Sequence, residues 1–153
     1  MNAVLYRGLT IGYLCWGIVL PGDAVPILAK ILIADDHELV RRQLCALLAQ
    51  QRHWEIYEAA DGQMAVDETR RLKPDVAVLD IVMPVMSGIE AAHELRRLVP
   101  GTKIILMSSH YTAEEAGTLA RLFGDGDFVL KSEAGTDLVP AINRVLPAES
   151  RAV

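Results

Sequence analysis

The chain has 153 residues, of which 15 are Lys or Arg and 20 are Asp or Glu, so its formal net charge is −5. This length fits one domain, and the ordinary charge content with few Pro and Gly residues excludes a disordered or fibrous chain. The acidic balance argues against sequence-independent DNA binding. The two cysteines, Cys15 and Cys45, are too far apart to suggest a disulfide framework or a zinc site, which is typical of the reducing cytoplasm.

Residues 1–25 form an apolar segment that does not fit the pattern of the rest of the chain. Its apolar run at 9–20 is shorter than the roughly 20 residues of a membrane span and is interrupted by Gly12 and Gly17. The run has the length of a signal-peptide core, but a good cleavage pattern does not follow it. We interpret the segment as a dispensable extension, with an ordered accessory element or a weak membrane anchor or signal as alternatives, and we expect no membrane partner.

From residue 26 onward, short apolar runs rich in β-branched residues alternate with amphipathic stretches of helical length. This alternation is typical of an α/β protein. Four of the five runs are almost continuously apolar, as expected of strands that are buried on both faces of a parallel sheet. The predicted strands are 27–34, 54–59, 76–79, 103–107 and 127–130.

Apolar residues at 40, 44, 47 and 48 recur at helical spacing and predict the first of five helices, and helix-start signals predict the other four. Asp61 is a plausible N-cap of the second helix, and Ser-x-x-Glu at 87–90 and Thr-x-x-Glu at 112–115 are capping boxes of the third and fourth. Thr136 is predicted to cap the fifth helix, which would place Pro140 in the first turns. We therefore expect one domain over 26–147 and a short tail at 148–153.

Polar residues interrupt the apolar pattern where the predicted strands end. Asp35 and Asp36 follow the first strand, Asp80 the third, Ser108 the fourth and Lys131 the fifth. The carboxyl ends of parallel strands lie along one edge of the sheet, where such folds bind ligands. A single Asp after a strand is usually a helix cap, but four coincidences on one edge favour a site.

The chemistry expected at this edge is phosphoryl transfer. If the strand order is 2-1-3-4-5, the first and third strands are neighbours, so Asp35, Asp36 and Asp80 converge. Three carboxylates repel one another, and oxygen ligands without His or Cys favour Mg²⁺ over zinc. Lys131 adds a positive charge and Ser108 can donate to an oxyanion, so Asp80 is the candidate nucleophile that forms an acyl phosphate.

Four segments resemble the receiver domain of bacterial two-component response regulators, which is CheY-like in fold. They are ILIADDHELVR at 31–41, VLDIVMPVMSG at 78–88, IILMSSH at 104–110 and GDFVLK at 126–131. The resemblance covers roughly residues 30–146. It implies an α/β fold, with a doubly wound five-stranded parallel sheet in the flavodoxin-like order 2-1-3-4-5 and five helices.

The resemblance also implies a role for each matching residue. Asp80 would be the phosphoacceptor. The implied ligands of Mg²⁺ are Asp35, Asp36, Asp80 and the backbone carbonyl of Val82. Ser108 and Phe128 fall where the family's conformational switch lies, and Lys131 falls on its phosphate-contacting lysine. The chain departs from the family in two places: Ser132 stands where many receivers have a proline, and Phe128 replaces the common Tyr.

The function implied by the resemblance is a phosphorylation-activated response regulator in a phosphorelay. Its phosphodonor would be a sensor histidine kinase or a phosphotransfer protein, and it would signal to an unknown downstream protein or form a phosphorylation-dependent dimer. It would act as an enzyme only in its own phosphorylation and dephosphorylation. The wording of 35–41 resembles the subfamily that usually carries a C-terminal helix-turn-helix, but the sequence ends before one, so we expect a stand-alone receiver without direct DNA binding.

Two other function classes compete with this interpretation. A degenerate receiver that acts only as a scaffold predicts loss of Asp80, the acidic pair or Lys131, and all of them are present. A Mg²⁺-dependent phosphatase with an Asp nucleophile would need a carboxylate where Val82 stands. We predict structural roles for other residues that could carry chemistry. Cys45 is expected in the core, and the pair Arg41-Arg42 on a solvated helix face.

Overall fold

The computed structural model describes residues 29–122 and 126–150, which are built around one five-stranded parallel sheet. The strands are β1 (Ala29–Ala34), β2 (Trp54–Ala59), β3 (Val76–Asp80), β4 (Lys103–Ser108) and β5 (Asp127–Leu130). Their order across the sheet is β2-β1-β3-β4-β5, which confirms the predicted order 2-1-3-4-5. The apolar segment 1–25 lies outside the described residues.

The side chains of the central strands are buried on both faces of the sheet, as their continuous apolar sequences predict. Along β1, Ile31 and Ile33 point into one core, whereas Leu32 and Ala34 point into the other. All five residues of β3 are buried. Because side chains alternate between the faces of a strand, a strand covered on both sides needs apolar residues at every position.

In the part of the chain that the structure describes, five α-helices cover the two faces of this sheet. They are α1 (Glu38–Leu48), α2 (Gly62–Leu72), α3 (Gly88–Leu98), α4 (Ala113–Leu122) and α5 (Ala134–Val145). Buried side chains of α1 and α5 pack on one face, and those of α2 and α3 pack on the other. This is the doubly wound arrangement expected from the sequence. Within the described ranges, no helix has the length and apolar character needed to cross a membrane.

Three of the predicted helix caps are present. Asp61 accepts a hydrogen bond from the backbone N–H of Met64 at 2.7 Å, at the start of α2. Ser87 and Glu90 form a reciprocal capping box at the start of α3. The 112–115 box also forms, with a side-chain to backbone hydrogen bond in each direction. These caps fix where each helix leaves the carboxyl edge of the sheet.

The predicted cap of the fifth helix is wrong. The chain leaves β5 through a 3-10 turn at Lys131–Glu133 and enters α5 at Ala134, so Thr136 is the third residue of the helix and Pro140 the seventh. The preceding turn starts the helix, and a side-chain cap is not used. Pro140 leaves the carbonyl of Thr136 without its helical donor, but Pro140 is exposed, so water can reach this part of the helix.

Candidate functional site

Four polar side chains meet at the carboxyl edge of the sheet. Asp35 directly follows β1, Asp80 is the last residue of β3, Ser108 is the last residue of β4, and Lys131 directly follows β5. β3 and β4 each extend one residue beyond the prediction, because Asp80 and Ser108 still pair in the sheet, with Met107 and Leu130 respectively. The backbone at both residues is therefore fixed by strand pairing, and both residues are buried.

Three carboxylates converge at this edge. Asp35, Asp36 and Asp80 each offer an oxygen atom, and these atoms lie within 4.8 Å of one another. The convergence follows from the strand order, since β1 and β3 are hydrogen-bonded neighbours. Asp35 and Asp80 are buried, whereas Asp36 is exposed. The group is therefore open to solvent on the side of Asp36.

Lys131 reaches into this cluster from the end of β5. Its Nζ lies 2.6 Å from Oδ2 of Asp35 and 2.8 Å from Oδ2 of Asp80. Burial acts to lower the pKa of Lys131, but its contacts with Asp35 and Asp80 outweigh burial, so the pKa is raised. One ammonium cannot balance three carboxylates, and two negative charges remain when all three carboxylates are ionised.

Burial and the negative charge of the cluster change the pKa of Asp80. Burial raises the pKa of this carboxyl group above its ordinary value, and repulsion from Asp35 acts in the same direction. The ion pair with Lys131 acts to lower the pKa but does not cancel the effect of burial. A further positive charge near Asp80 would therefore stabilise its ionised form.

Asp35 is fixed by its backbone and by its side chain. Its N–H donates to the carbonyl of Ala59 at 3.2 Å, and its Oδ1 accepts from the N–H of His37 at 2.8 Å. Its Oδ2 is buried and pairs with the ammonium of Lys131 at 2.6 Å. Three carboxylates that converge without His or Cys form a set of oxygen donors that fits a hard divalent cation.

Arg41 is a residue at this site that the sequence interpretation missed. Only 13% of its side chain is exposed, its Nε lies 3.3 Å from Oε2 of Glu58 on β2, and its Nη1 donates to the carbonyl oxygen of Asp35 at 2.9 Å. A signal for this was present, since Arg41 precedes the buried residues Leu44 and Cys45 by three and four positions. Its neighbour Arg42 is solvated, as predicted.

The loop between β3 and α3 places Asp80 through its backbone. Gly88 donates its N–H to the carbonyl of Ile81 at 3.0 Å, and a Cβ atom at this position would lie 2.0 Å from the carbonyl oxygen of Asp80. Within the loop, Val85 has a φ of 67° and the N–H of Met86 donates to the carbonyl of Pro84 at 2.7 Å. The bond from Met86 to Pro84 closes a γ-turn at Val85, which makes the loop tight. The close approach to the carbonyl of Asp80 explains why the residue at 88 is glycine.

The other predicted site residues have different environments. Val82 is 58% exposed, and its N–H faces Oδ1 of Asp80 at 3.4 Å, so it lies at the mouth of the cluster. The Oγ of Ser108 accepts a hydrogen bond from the N–H of His110 at 3.0 Å. Phe128 lies within β5, half-buried against the core on the α2 and α3 face. Their roles as metal ligand and switch residues stay predictions.

Comparison with known proteins identifies the fold and the motif together. The family model of the response regulator receiver domain matches residues 31–143. The response regulator protein VraR of Staphylococcus epidermidis is 31% identical over 122 residues, which cover 79% of this chain and 58% of VraR. This chain therefore spans a little over half the length of that curated relative.

Two solved structures show the same architecture. A two-component response regulator of the LuxR family from Aurantimonas sp. SI85-9A1 aligns with a TM-score of 0.71 and 31% identity, covering 82% of this chain and 89% of the other. The chemotaxis protein CheY4 of Vibrio cholerae aligns with a TM-score of 0.67 and 28% identity, covering 77% and 98%. The receiver fold is thus shared with regulators of different kinds.

Proposed function

We propose, from the premise that the chain belongs to the response regulator receiver family, that Asp80 accepts a phosphoryl group from a sensor histidine kinase or a phosphotransfer protein. The observation that carries this proposal is the convergence of Asp35, Asp36 and Asp80, with the ammonium of Lys131 in contact with Asp35 and Asp80. Asp80 is the suitable nucleophile, because it is the last residue of a central strand, pairs with Met107 of β4 and has its carboxylate in contact with Lys131.

The bond changes of this step are simple. A carboxylate oxygen of Asp80 attacks phosphorus, the bond from phosphorus to the imidazole nitrogen of the donor breaks, and an acyl phosphate forms. Lys131 then pairs with a phosphoryl oxygen, and the hydroxyl of Ser108 can rotate to donate to another. Positioning and charge neutralisation account for most of the catalysis in such transfers.

We further propose that Mg²⁺ is the cation of this site. Its protein ligands would be the carboxylates of Asp35, Asp36 and Asp80 with the backbone carbonyl of Val82. When bound, Mg²⁺ supplies positive charge to the incoming phosphoryl oxygens. The set of carboxylate oxygens without His or Cys and the excess negative charge of the cluster support this assignment.

Mass spectrometry of the intact chain after incubation with acetyl phosphate tests both proposals. The mass of one phosphoryl group should be gained with Mg²⁺ and should not be gained with a chelator. Asp80→Asn should gain nothing, whereas Asp67→Asn, at an exposed site on α2, should behave as the wild type. Equal modification of Asp80→Asn would show that another residue accepts the phosphoryl group.

The finer description of the protein is also a proposal. We expect a cytoplasmic protein, since its phosphodonor would act there, and one that catalyses only its own phosphorylation and dephosphorylation. A stand-alone receiver that signals to a separate protein, without direct DNA binding, stays our prediction, with a phosphorylation-dependent dimer as a further output. One structural neighbour, a LuxR-family response regulator from Staphylococcus aureus, is a DNA-binding protein. The mass of the present protein isolated from its own cells tests our prediction, because an added DNA-binding domain would make that mass larger than the mass of 153 residues.

A further inference from the structure

We propose that Arg41 is a positioning residue, which holds the acidic turn after β1 in the geometry that binds the cation. This inference rests on the proposed function, since it concerns the same site. The contact of Arg41 with the acidic cluster is not an ion pair with one of its carboxylates. Its Nη1 donates instead to the backbone carbonyl of Asp35 at 2.9 Å, while its Nε contacts Glu58. The guanidinium thus connects α1 and β2 to Asp35, the residue that follows β1.

The need for this contact follows from the position of Asp35. The strand ladder ends at Ala34, and the chain must then turn into α1 within three residues while presenting two adjacent carboxylates. The N–H of Asp35 is held by β2, and its Oδ1 is held by the N–H of His37. Arg41 holds the remaining backbone group, the carbonyl. With this third contact the peptide plane between Asp35 and Asp36 has a fixed orientation.

Glu58 fixes Arg41 in turn. Its Oε2 lies 3.3 Å from Nε of Arg41 and 3.9 Å from Sγ of Cys45, and only 15% of its side chain is exposed. The planar guanidinium can contact a carboxylate through one nitrogen and a carbonyl through another, which the single ammonium of lysine does not reproduce. The geometry therefore depends on arginine and not simply on a positive charge.

Arg42 offers a matched control on the same helix. Its Nη2 lies 2.5 Å from Oε1 of Glu38, but both side chains are more than 60% exposed. An exposed pair one turn along α1 contributes little, and it makes no contact with the acidic turn. Arg41→Lys and Arg42→Lys are therefore chemically identical substitutions, at neighbouring positions, with different expected effects.

The experiment is a titration of the ¹⁵N-labelled full chain with MgCl₂, followed through the amide shifts of His37 and Ile81. Arg41→Lys should raise the dissociation constant of Mg²⁺ about tenfold, the usual scale for loss of a residue that orients a metal ligand. Glu58→Gln should raise it by a smaller factor, and Arg42→Lys should leave it unchanged. Because Glu58 acts through Arg41, the double variant should bind Mg²⁺ no more weakly than Arg41→Lys alone.

Hydrogen exchange without any metal gives a second readout. The amide of His37 should exchange faster in Arg41→Lys than in Arg42→Lys, although the midpoints of urea unfolding stay equal. Wild-type affinity in both Arg41→Lys and Glu58→Gln would overturn the inference while leaving the proposed function intact. Failure of the wild-type chain itself to bind Mg²⁺ would instead contradict the proposed function, and the role of Arg41 with it.

Discussion

At the scale of single residues, Asp80 is where the charges of the site conflict. Burial and the neighbouring Asp35 raise its pKa in spite of the ion pair with Lys131. The folded chain therefore binds the Asp80 proton more tightly than the unfolded chain does. Ionisation of Asp80 lowers the free energy of unfolding as pH rises through the raised pKa, and this loss disappears below the pKa of the unfolded chain, roughly 4.

Asp80→Asn should therefore stabilise the chain in the absence of divalent cations. We expect a gain of about 1 kcal/mol in the free energy of unfolding at pH 7, a typical size for relief of strain at a functional site. The gain should shrink as pH falls toward roughly 4. Urea unfolding over this pH range measures it, with Asp67→Asn as the control. A variant less stable than the wild type at pH 7 would contradict the charge analysis.

Val82 should control how long the acyl phosphate lasts. Hydrolysis needs a water molecule in line behind phosphorus, and the side chain of Val82, exposed at the mouth of the cluster, can neither donate nor accept a hydrogen bond. Val82→Asn should speed loss of the phosphoryl group several-fold, a barrier change of about 1 kcal/mol. Repeated mass measurements of the phosphorylated chain give the rate.

The control for Val82 lies in the same loop. Val85 is 83% exposed, and Val85→Asn is compatible with its positive φ, so this variant should lose phosphate at the wild-type rate. Equal rates in Val82→Asn and the wild type would show that the residue at 82 does not position the water.

The residues of the site were predictable to different degrees. Asp35, Asp36, Asp80 and Lys131 break apolar runs, so that their positions could be read from the sequence alone. Arg41 was grouped with Arg42 on a solvated face, although its spacing to Leu44 and Cys45 places it beside the buried face of α1. What distinguishes Arg41 is Glu58, which is 17 positions away and meets it only after β2 pairs with β1.

At the scale of elements, Gly88 couples the start of α3 to the end of β3. Gly88→Ala should place a methyl group against the carbonyl of Asp80 and lower the free energy of unfolding by about 2 kcal/mol or more. Gly135, in the first turn of α5, has no atom within 4 Å of a Cβ added there, so Gly135→Ala should be neutral or stabilise by about 0.5 kcal/mol. Denaturant unfolding compares the two, and equal effects would contradict the steric explanation.

Element boundaries show where local sequence signals stop being sufficient. The capping residues Asp61 and Ser87 were predicted correctly because a cap depends on contacts within one turn. The predicted start of α5 was wrong because the 3-10 turn at Lys131–Glu133 leads into the helix before Thr136. The ends of β3 and β4 depend on pairing with neighbouring strands, which a run of apolar residues does not report.

At the scale of the whole molecule, the sheet connects the acidic edge to the surface formed by α4, β5 and α5. Asp80, Ser108 and Phe128 lie on the adjacent strands β3, β4 and β5. The doubly wound order was predictable because nearly every strand position is apolar, which indicates helices on both faces. The response of this surface to phosphorylation could not be predicted from the apolar pattern, because it depends on a second conformation of the protein.

We predict that phosphorylation shifts an equilibrium between two conformations of this surface. Ser108 would move toward the phosphoryl group, and Phe128, now half-buried, would fill the vacated space. Amide shifts on addition of beryllofluoride, a phosphoryl mimic, with Mg²⁺ should spread from Asp80 through Ser108 to Phe128 and beyond. Asp80→Asn is the control and should show no such spread. Shifts confined to the acidic cluster of the wild type would mean that no switch operates.

The central claim is that Asp80 is the residue that becomes phosphorylated, and reduction of the acyl phosphate tests it most directly. Borohydride converts an aspartyl phosphate to homoserine, which peptide mass spectrometry locates in the sequence. After incubation with acetyl phosphate and Mg²⁺, the structure predicts homoserine at position 80 and unchanged Asp at 35 and 36. Homoserine at either member of the acidic pair, or at none of the three positions, would contradict the account.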